Sequence, residues 1–328
     1  MKKNYFITGG TGSFGQMFSK KLIEKKLAKK IIIFSRDEFK QSEMKTKDYV
    51  KNNEKIFRFF IGDVRDKDRL KYAINDQIDF VIHTAALKQV PATEYNPFEA
   101  VKTNVLGTQN LIEACLEKNI HKNLLISTDK AAAPVNLYGA TKLTAEKLFV
   151  TANNHKGKKK SIFSIARYGN VFGSRGSVVP LFLNQIRYKK KLTITSPKMT
   201  RFSIELDEAA NFVLETLKKM KGGEIFVPKL SSYKILDLVK AFGVEDYKII
   251  GTREGEKIHE ELITSQEQTR TIENKSHFVI SPNFKNISFK NLSNLNSYNS
   301  YDNANYLSII PIIYPIIENL IILSKVCI

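Results

Sequence analysis

The sequence predicts an α/β fold, a doubly wound parallel sheet with a smaller C-terminal region. Three observations predict it. Short apolar runs recur as "NYFIT", "KIIIFS", "FRFFIGD", "DFVIHTAA", "NLLIST" and "SIFSIARY". Segments of helical spacing separate most of them, and strands alternating with helices imply parallel pairing with helices on both faces. The first run leads straight into the glycine-rich "TGGTGSFG".

Taken in order, residues 4–8 are the first strand, and a helix over about 14–26 follows the glycine turn. Gly9, Gly12 and Gly15 allow a tight turn, close approach of backbone to a pyrophosphate, and packing of helix on strand. A dinucleotide site of the Rossmann type is therefore expected. The second strand, 30–35, selects the nucleotide. An acid there favours NAD through the ribose hydroxyls, whereas an arginine accommodates the 2′-phosphate of NADP. The strand ends in "SRDEFK", so Ser35, Arg36 and Lys40 point to NADP, while a shift of one residue would bring Asp37 to the ribose. The third strand, 57–63, ends at Asp63, placed for the adenine amino group or for a plain strand-end turn; 79–86 is the fourth strand, 123–128 the fifth and 161–168 the sixth.

After Tyr168 the pattern loosens into a glycine-rich loop, a helix near 180–190, a short "LTIT" strand and the basic "KMTRF". A helix at 207–220 is expected to pack back on the sheet. The expected division is 1–168 with 202–228 for the dinucleotide, 169–201 with 229–282 for substrate, and a tail over 283–328. Eight asparagines over 283–305 read as loop or disorder.

Composition narrows the function classes. The chain has 328 residues, enough for one large domain or two modest ones, and its 42% hydrophobic and 26% charged residues are ordinary for a globular protein. The formal net charge of +19 is not ordinary. Its lysines are spread in runs such as "KKLIEKKLAKK" and "KGKKK" rather than gathered on one element with aromatics between them. That argues first for a plain solvated lysine-rich surface, second for one that helps to attract an anionic substrate, and against nucleic acid. The two cysteines, Cys115 and Cys327, form no C-x-x-C, so a reducing cytoplasm is expected and no metal site is indicated. "MKKNYFITGG" reaches glycine too soon for a signal peptide. Pro311, Pro315, Glu318 and Asn319 interrupt the apolar tail, and a membrane span needs about 20 mostly apolar residues, so no membrane insertion is expected.

The chemistry concentrates in "LLISTDKAAAPVNLYGATKLTAEKLF", residues 124–149. A free tyrosine has a pKa of about 10, so Tyr138 needs a positive neighbour to act as a base. Lys142, four residues on and on the same helix face, is placed to be that neighbour. Such a pair arises by chance elsewhere as an aromatic beside a surface lysine. Behind a dinucleotide turn and a strand ending in Ser-Thr, it reads as the device that deprotonates a sugar hydroxyl while its carbon gives a hydride to nicotinamide. Asp129 and Lys130 then place a second acid and a second base beside it.

These segments, with "SRDEFKQSEM", "HTAALKQVP", "EYNPFEAVKTNVLGT", "RYGNVFGSRGSVVP", "MTRF", "GGEIFVPK" and "GTREGEKIHE", resemble the extended short-chain dehydrogenase/reductases. Within them the chain is similar to the inverting UDP-N-acetylglucosamine 4,6-dehydratases, from residue 4 to about 282. The resemblance implies a hydro-lyase with tightly bound NADP regenerated each turnover, a homo-oligomer, and a product on the route to pseudaminic acid. Oxidation at C4 makes a ketone that acidifies C5. By the resemblance Lys130 is the C5 base, Asp129 the acid toward O6, and Thr128 a hydrogen-bond partner of the C4 oxygen. Many retaining relatives carry a glutamate where this chain has Lys130. A lysine base must be neutral part of the time, so its pKa is expected to fall through burial or nearby cations.

The resemblance completes the cofactor contacts with Thr11, Ser13, Phe14, Val64, Ala85 and Ala86, and puts Lys88 between cofactor and sugar. Arg201 and Arg253 are assigned to the diphosphate, since a planar fork suits it, and Glu256 to a ribose hydroxyl. Asn104 and Asn170 are expected as substrate or active-site amides, Val179 as pocket lining, and Thr193 and Thr195 along the uracil. The tail departs from the family, with "IIPIIYPIIENLIILSKVCI" in place of an amphipathic terminal helix. The same parts would also suit a UDP-sugar 4-epimerase, a retaining dehydratase, or a regulator that binds NADP without turnover.

Overall fold

A computed structural model describes residues 2–174, 176–282 and 298–299. Among the described residues nine strands form one sheet. In chain order they are β1 (Lys3–Thr8), β2 (Ala28–Ser35), β3 (Phe57–Ile61), β4 (Phe80–His83), β5 (Lys122–Thr128), β6 (Ile162–Tyr168), β7 (Ile225–Pro228), β8 (Thr271–Glu273) and β9 (His277–Ile280). Their spatial order is β8-β9-β7-β6-β5-β4-β1-β2-β3. Strands β1 to β7 pair in parallel and β9 and β8 pair antiparallel at one edge. The order reverses at β1, which lies between β2 and β4, and a crevice opens beyond the carboxyl ends of strands at such a point.

Strand alternation makes two cores. Phe6, Phe34 and Val81 face one side of the sheet with Leu111, Phe149 and Phe163. Tyr5, Ile7, Ile31 and Ile33 face the other, where Phe18 and Leu22 meet Val213 and Leu217. Each fully buried side chain of this kind contributes about 1.5–3 kcal/mol. The helices that supply them are α1 (Ser13–Glu24), α2 (Gly107–Glu117), α3 (Leu137–His155) and α4 (Leu206–Lys219). Thus the 207–220 helix does return to the sheet. A third apolar cluster, with Phe182, Leu192, Tyr233 and Leu238, builds the smaller lobe.

Three departures from the sequence reading have local causes. Strand β4 ends at His83 because Thr84 turns back on the first strand, its Oγ1 donating to the Thr8 carbonyl at 2.6 Å. "MTRFSI" forms a strand over Thr200–Ile204, held between Ser232–Lys234 and Asn170–Val171. Residues 271–280, expected in the substrate region, instead finish the central sheet, where β9 covers the open edge of β7.

A buried ion cluster ties that edge down. Arg167 on β6 has no exposed surface; it grips Glu146 of α3 at 2.9 and 2.5 Å and Glu267 at 2.8 Å through two nitrogens, and donates to the Leu262 carbonyl at 3.0 Å. Those contacts hold the Glu267 carboxyl at about 2, against a burial effect of opposite sign. Among the described residues no helix is long and apolar enough to cross a membrane. The asparagine-rich 283–305 and the apolar tail lie outside the described residues, except that Tyr298–Asn299 pairs with Glu261–Ile263.

Candidate active site

A cavity of about 1390 Å³ runs from the glycine turn to the 253–257 loop. That exceeds the 300–1,000 Å³ usual for one small ligand, as a dinucleotide and a second nucleotide together would require. Its floor is made by local necessity. Gly9 sits at φ +64°, and a Cβ there would lie 2.9 Å from the Ala85 backbone. A Cβ on Gly15 would come within 2.6 Å of the Gly10 backbone, so only glycine lets α1 start this close to β1. Gly12 caps α1 with no side-chain hydrogen bond, and no acid stands in the first turn. The N–H groups of that end are thus free for an anion, and the donor set fits a pyrophosphate.

Every residue expected at the cofactor lines this cavity. Thr11, Ser13 and Phe14 lie in the turn; Ser35, Arg36, Asp37 and Lys40 follow β2; Asp63, Val64, Ala85, Ala86 and Lys88 follow β3 and β4. Asp37 is the N-cap of helix Glu38–Lys45, accepting from the Lys40 N–H at 3.0 Å and from Lys40 Nζ at 2.7 Å. Arg36 touches Asp63 only at 3.5 Å and is half exposed. Asp63 is gripped by Arg65 at 2.7 and 2.9 Å; burial works against ionisation, but Arg65 and Arg36 outweigh it and lower its pKa.

The segment expected to carry the proton chemistry is a short turn of 3₁₀ helix, Asp129–Ala131, between β5 and α3. Asn136 caps α3 by accepting from the Gly139 N–H at 2.7 Å, which starts the helix one residue before Tyr138. Thr128, Lys130, Tyr138 and Lys142 all line the cavity. Lys130 Nζ lies 3.1 Å from Asp129 Oδ1, 3.2 Å from Glu260 Oε1 and 3.3 Å from Asn170 Oδ1. Thr128 Oγ1 donates to Asp129 Oδ1 at 2.8 Å.

Several expectations are corrected here. Lys130 was expected to have a lowered pKa; burial does act that way, but Asp129 and Glu260 outweigh it and raise the pKa, so the resting group is an ammonium. Lys142 was expected to favour the Tyr138 phenolate, yet its Nζ donates to the Ile126 carbonyl at 2.7 Å and burial lowers it to about 8. Burial pushes Tyr138 up to about 12, and the groups that oppose this are Lys130 and the Thr128 hydroxyl. Asp129 is wholly buried and does not line the cavity; burial raises its pKa, which favours the acid form.

On the substrate side Asn170, Thr193, Thr195, Arg201, Arg253 and Glu256 line the cavity. Asn104 does not. Its amide is spent on both backbone groups of Leu87 and on Thr141, at 2.8 to 3.0 Å, clamping the chain after β4. Val179 also does not; it is buried in the smaller lobe's core, one position off the cavity-facing Val178 and Pro180. Arg201 reaches the cavity, but its fork donates to the carbonyls of Thr200, Lys257 and Ile258 at 2.7 to 3.1 Å. Little of it remains for a diphosphate. Arg253 is half exposed, with only a 3.9 Å pair to Glu256 among the described residues, and is the better placed of the two. Lys88 has its pKa lowered by burial and by Lys130.

Glu260 and Lys257 are cavity residues that the sequence reading missed. Four acids crowd "REGEKIHEE", and nothing in their spacing says that Glu260 joins Glu254 and Glu256 on the cavity wall while Glu261 does not.

Residues 5–282 match a family described as polysaccharide biosynthesis protein. The chain is 53% identical over 286 residues to the UDP-N-acetylglucosamine 4,6-dehydratase (inverting) of Campylobacter jejuni, covering 87% of this chain and 84% of that one. It is 43% identical over 276 residues to a UDP-glucose 4-epimerase of Rickettsia canadensis, covering 82% and 80%. Among solved structures it is similar to Pen from Bacillus thuringiensis, with 37% identity, a TM-score of 0.89 and 98% of each chain covered. The parallel sheet, the glycine turn and these similarities agree: the chain belongs to the polysaccharide biosynthesis protein family, in the group of the inverting UDP-N-acetylglucosamine 4,6-dehydratases.

Proposed function

We propose that the protein performs the inverting 4,6-dehydration of UDP-N-acetylglucosamine with NADP as its resident cofactor. The product would be the C5-inverted 4-keto-6-deoxy sugar nucleotide, which we read as an intermediate toward pseudaminic acid. One observation carries the reading. Tyr138 and Lys130 line the same cavity, so two proton-transfer devices serve one substrate. An epimerase needs only the first.

NADP, when bound at the glycine turn, supplies a hydride acceptor for C4 and a donor for C6. The chain supplies the proton chemistry. In its phenolate form, which the charge of Lys130 favours against burial, Tyr138 takes the proton of the C4 hydroxyl. A single proton shift from Lys130 Nζ to Asp129 Oδ1, 3.1 Å away, turns an ion pair into an amine and a carboxylic acid. The amine removes the C5 proton, and the acid gives its own to the departing 6-hydroxyl, so both return to their starting charges as water leaves; C5 then takes a solvent-derived proton on its opposite face as C6 receives the hydride, and Tyr138 releases to solvent the proton it took from the C4 hydroxyl. Because Asp129 does not face the cavity, its proton passes through the Thr128 hydroxyl, which does. Arg253 and Glu256 hold the diphosphate and ribose.

Incubation with UDP-N-acetylglucosamine in deuterated water, followed by NMR, tests this. The expected product has lost the 6-hydroxyl, is inverted at C5 and carries deuterium there; a 4-epimer that keeps its 6-hydroxyl would overturn the reading. Lys130→Ala should lose C5 exchange by about 10²–10⁴-fold, the usual worth of a positioned proton-transfer group, while cofactor still binds. Near-normal deuterium at C5 in that variant would mean the base lies elsewhere.

A further inference from the structure

We propose that Glu260 is a positioning residue for the proton-transfer step, holding the Lys130 ammonium at the cavity wall and restraining its release as a free amine. This rests on Lys130 being the C5 base. The geometry is that of a saturated ammonium. Three acceptors, Asp129 Oδ1, Glu260 Oε1 and Asn170 Oδ1, stand at 3.1, 3.2 and 3.3 Å from Nζ, one for each of its three donors.

The two carboxyls are not equivalent. Asp129 is sealed behind the 3₁₀ turn, whereas Glu260 lines the cavity. Glu260 is nearly buried itself and stands directly before strand Glu261–Ile263, whose Leu262 carbonyl is held by Arg167. Arg201 lies against the same carboxyl, with Nε 3.8 Å from Oε1, and is itself pinned to the carbonyls of Lys257 and Ile258. Among the described residues, the charged and titratable groups that face Glu260 include Lys130, Arg201 and Lys257, with Asp129, Tyr138 and Tyr233 around the same cluster. Burial opposes the charge on Glu260, but Lys130, Arg201 and Lys257 outweigh it and lower its pKa, so Glu260 stays a carboxylate. Asp129 is raised by burial, so the proton that Lys130 sheds goes to Asp129. The division of labour follows. Asp129 exchanges the proton; Glu260 keeps the amine in place and, by its fixed charge, raises the pH at which the amine appears.

Glu260→Gln keeps a hydrogen-bond acceptor but removes the charge, and Glu260→Asp keeps the charge on a shorter arm. Two readouts separate the roles: the Lys130 titration followed by NMR of its Cε in the cofactor-bound protein, and the pH profile of C5 deuterium exchange. A nearby opposite charge moves a pKa by about one to three units. In Glu260→Gln the Lys130 titration and the acidic limb of exchange should both move to lower pH by about one unit or more. Glu260→Asp should keep the limb within a few tenths of wild type while the maximal exchange rate falls. An unmoved Lys130 titration in Glu260→Gln overturns the inference, whatever the exchange rate does. A moved titration with an unmoved exchange limb upholds the hold of Glu260 on Lys130 and instead overturns Lys130 as the base.

Discussion

Arg36 shows how little a side chain must be committed to remain useful. It is half exposed, and its one ion pair among the described residues, to Asp63, is 3.5 Å long, while Arg65 already satisfies that carboxylate. Its neighbours are spent: Ser35 Oγ accepts from Gln41 at 3.0 Å, and Asp37 caps a helix and pairs with Lys40. For Asp37 to reach a ribose it would have to leave the helix end it caps, which typically costs about 1 kcal/mol. This supports reading the 2′-phosphate through Arg36. A hydrogen bond to a charged group is worth about 1.5–3 kcal/mol, so Arg36→Ala should weaken NADP by roughly 10–100-fold and leave NAD nearly unchanged. Binding titrations of both cofactors decide it, and equal losses would show that the arginine does not read the phosphate.

At the scale of elements, the start of α3 lies against the 3₁₀ turn through a residue with no side chain. A Cβ on Gly139 would meet the Lys130 carbonyl oxygen at 2.2 Å. Backbone cannot yield as a flexible side chain would, so Gly139→Ala must push the helix start, and Tyr138 with it, away from Thr128 and Lys130. A displacement of about 1 Å can lower a rate by about 10²-fold. The expectation is a fall of that size in kcat with cofactor affinity largely kept, because the glycine turn is on other elements. Unchanged kcat would show that the turn and the helix adjust independently. This juncture also marks what was legible in advance. Tyr138, Lys142, Asp129 and Lys130 stand within one helix turn and one strand end, where local spacing fixes proximity. The pairing of Lys130 with Glu260 crosses 130 residues, and only the packing of the smaller lobe creates it. Asn104 and Val179 were misplaced for a related reason. They were placed by the resemblance of their segments, which does not say which side of a π-turn or a helix faces the cavity, and a one-residue step decides it.

The whole molecule is closed by Arg167. Apolar runs with parallel-strand character disclosed β1 to β6, since strands buried on both faces need continuous hydrophobic sequence. The edge formed by β7, β9 and β8 was harder to read because those strands are only three or four residues long and depend on one another for cover. Arg167 joins both parts, holding Glu146 on the buried face of α3 and Glu267 just ahead of β8. Removing it would leave two carboxylates buried without their cation. Breaking such a pair typically costs about 3–5 kcal/mol, so Arg167→Leu should lower the unfolding free energy by about that amount in denaturant titrations. Replacing Glu146 and Glu267 by leucine and glutamine in the same chain should recover a large part. A loss under about 1 kcal/mol in Arg167→Leu would show that the cluster contributes little.

The same cluster imposes an order on synthesis. Glu267 lies 100 residues after Arg167. At about 5–20 residues per second on a ribosome, roughly 5–20 s pass between the emergence of the two. Early in that interval β6 has its helix partner Glu146 but neither the second carboxylate nor β7, and once β7 arrives its own outer edge stays uncovered until β9 follows Glu267. The nascent chain therefore holds an open sheet edge with a half-satisfied arginine behind it, a surface suited to transient shielding by a chaperone until the last described strands arrive.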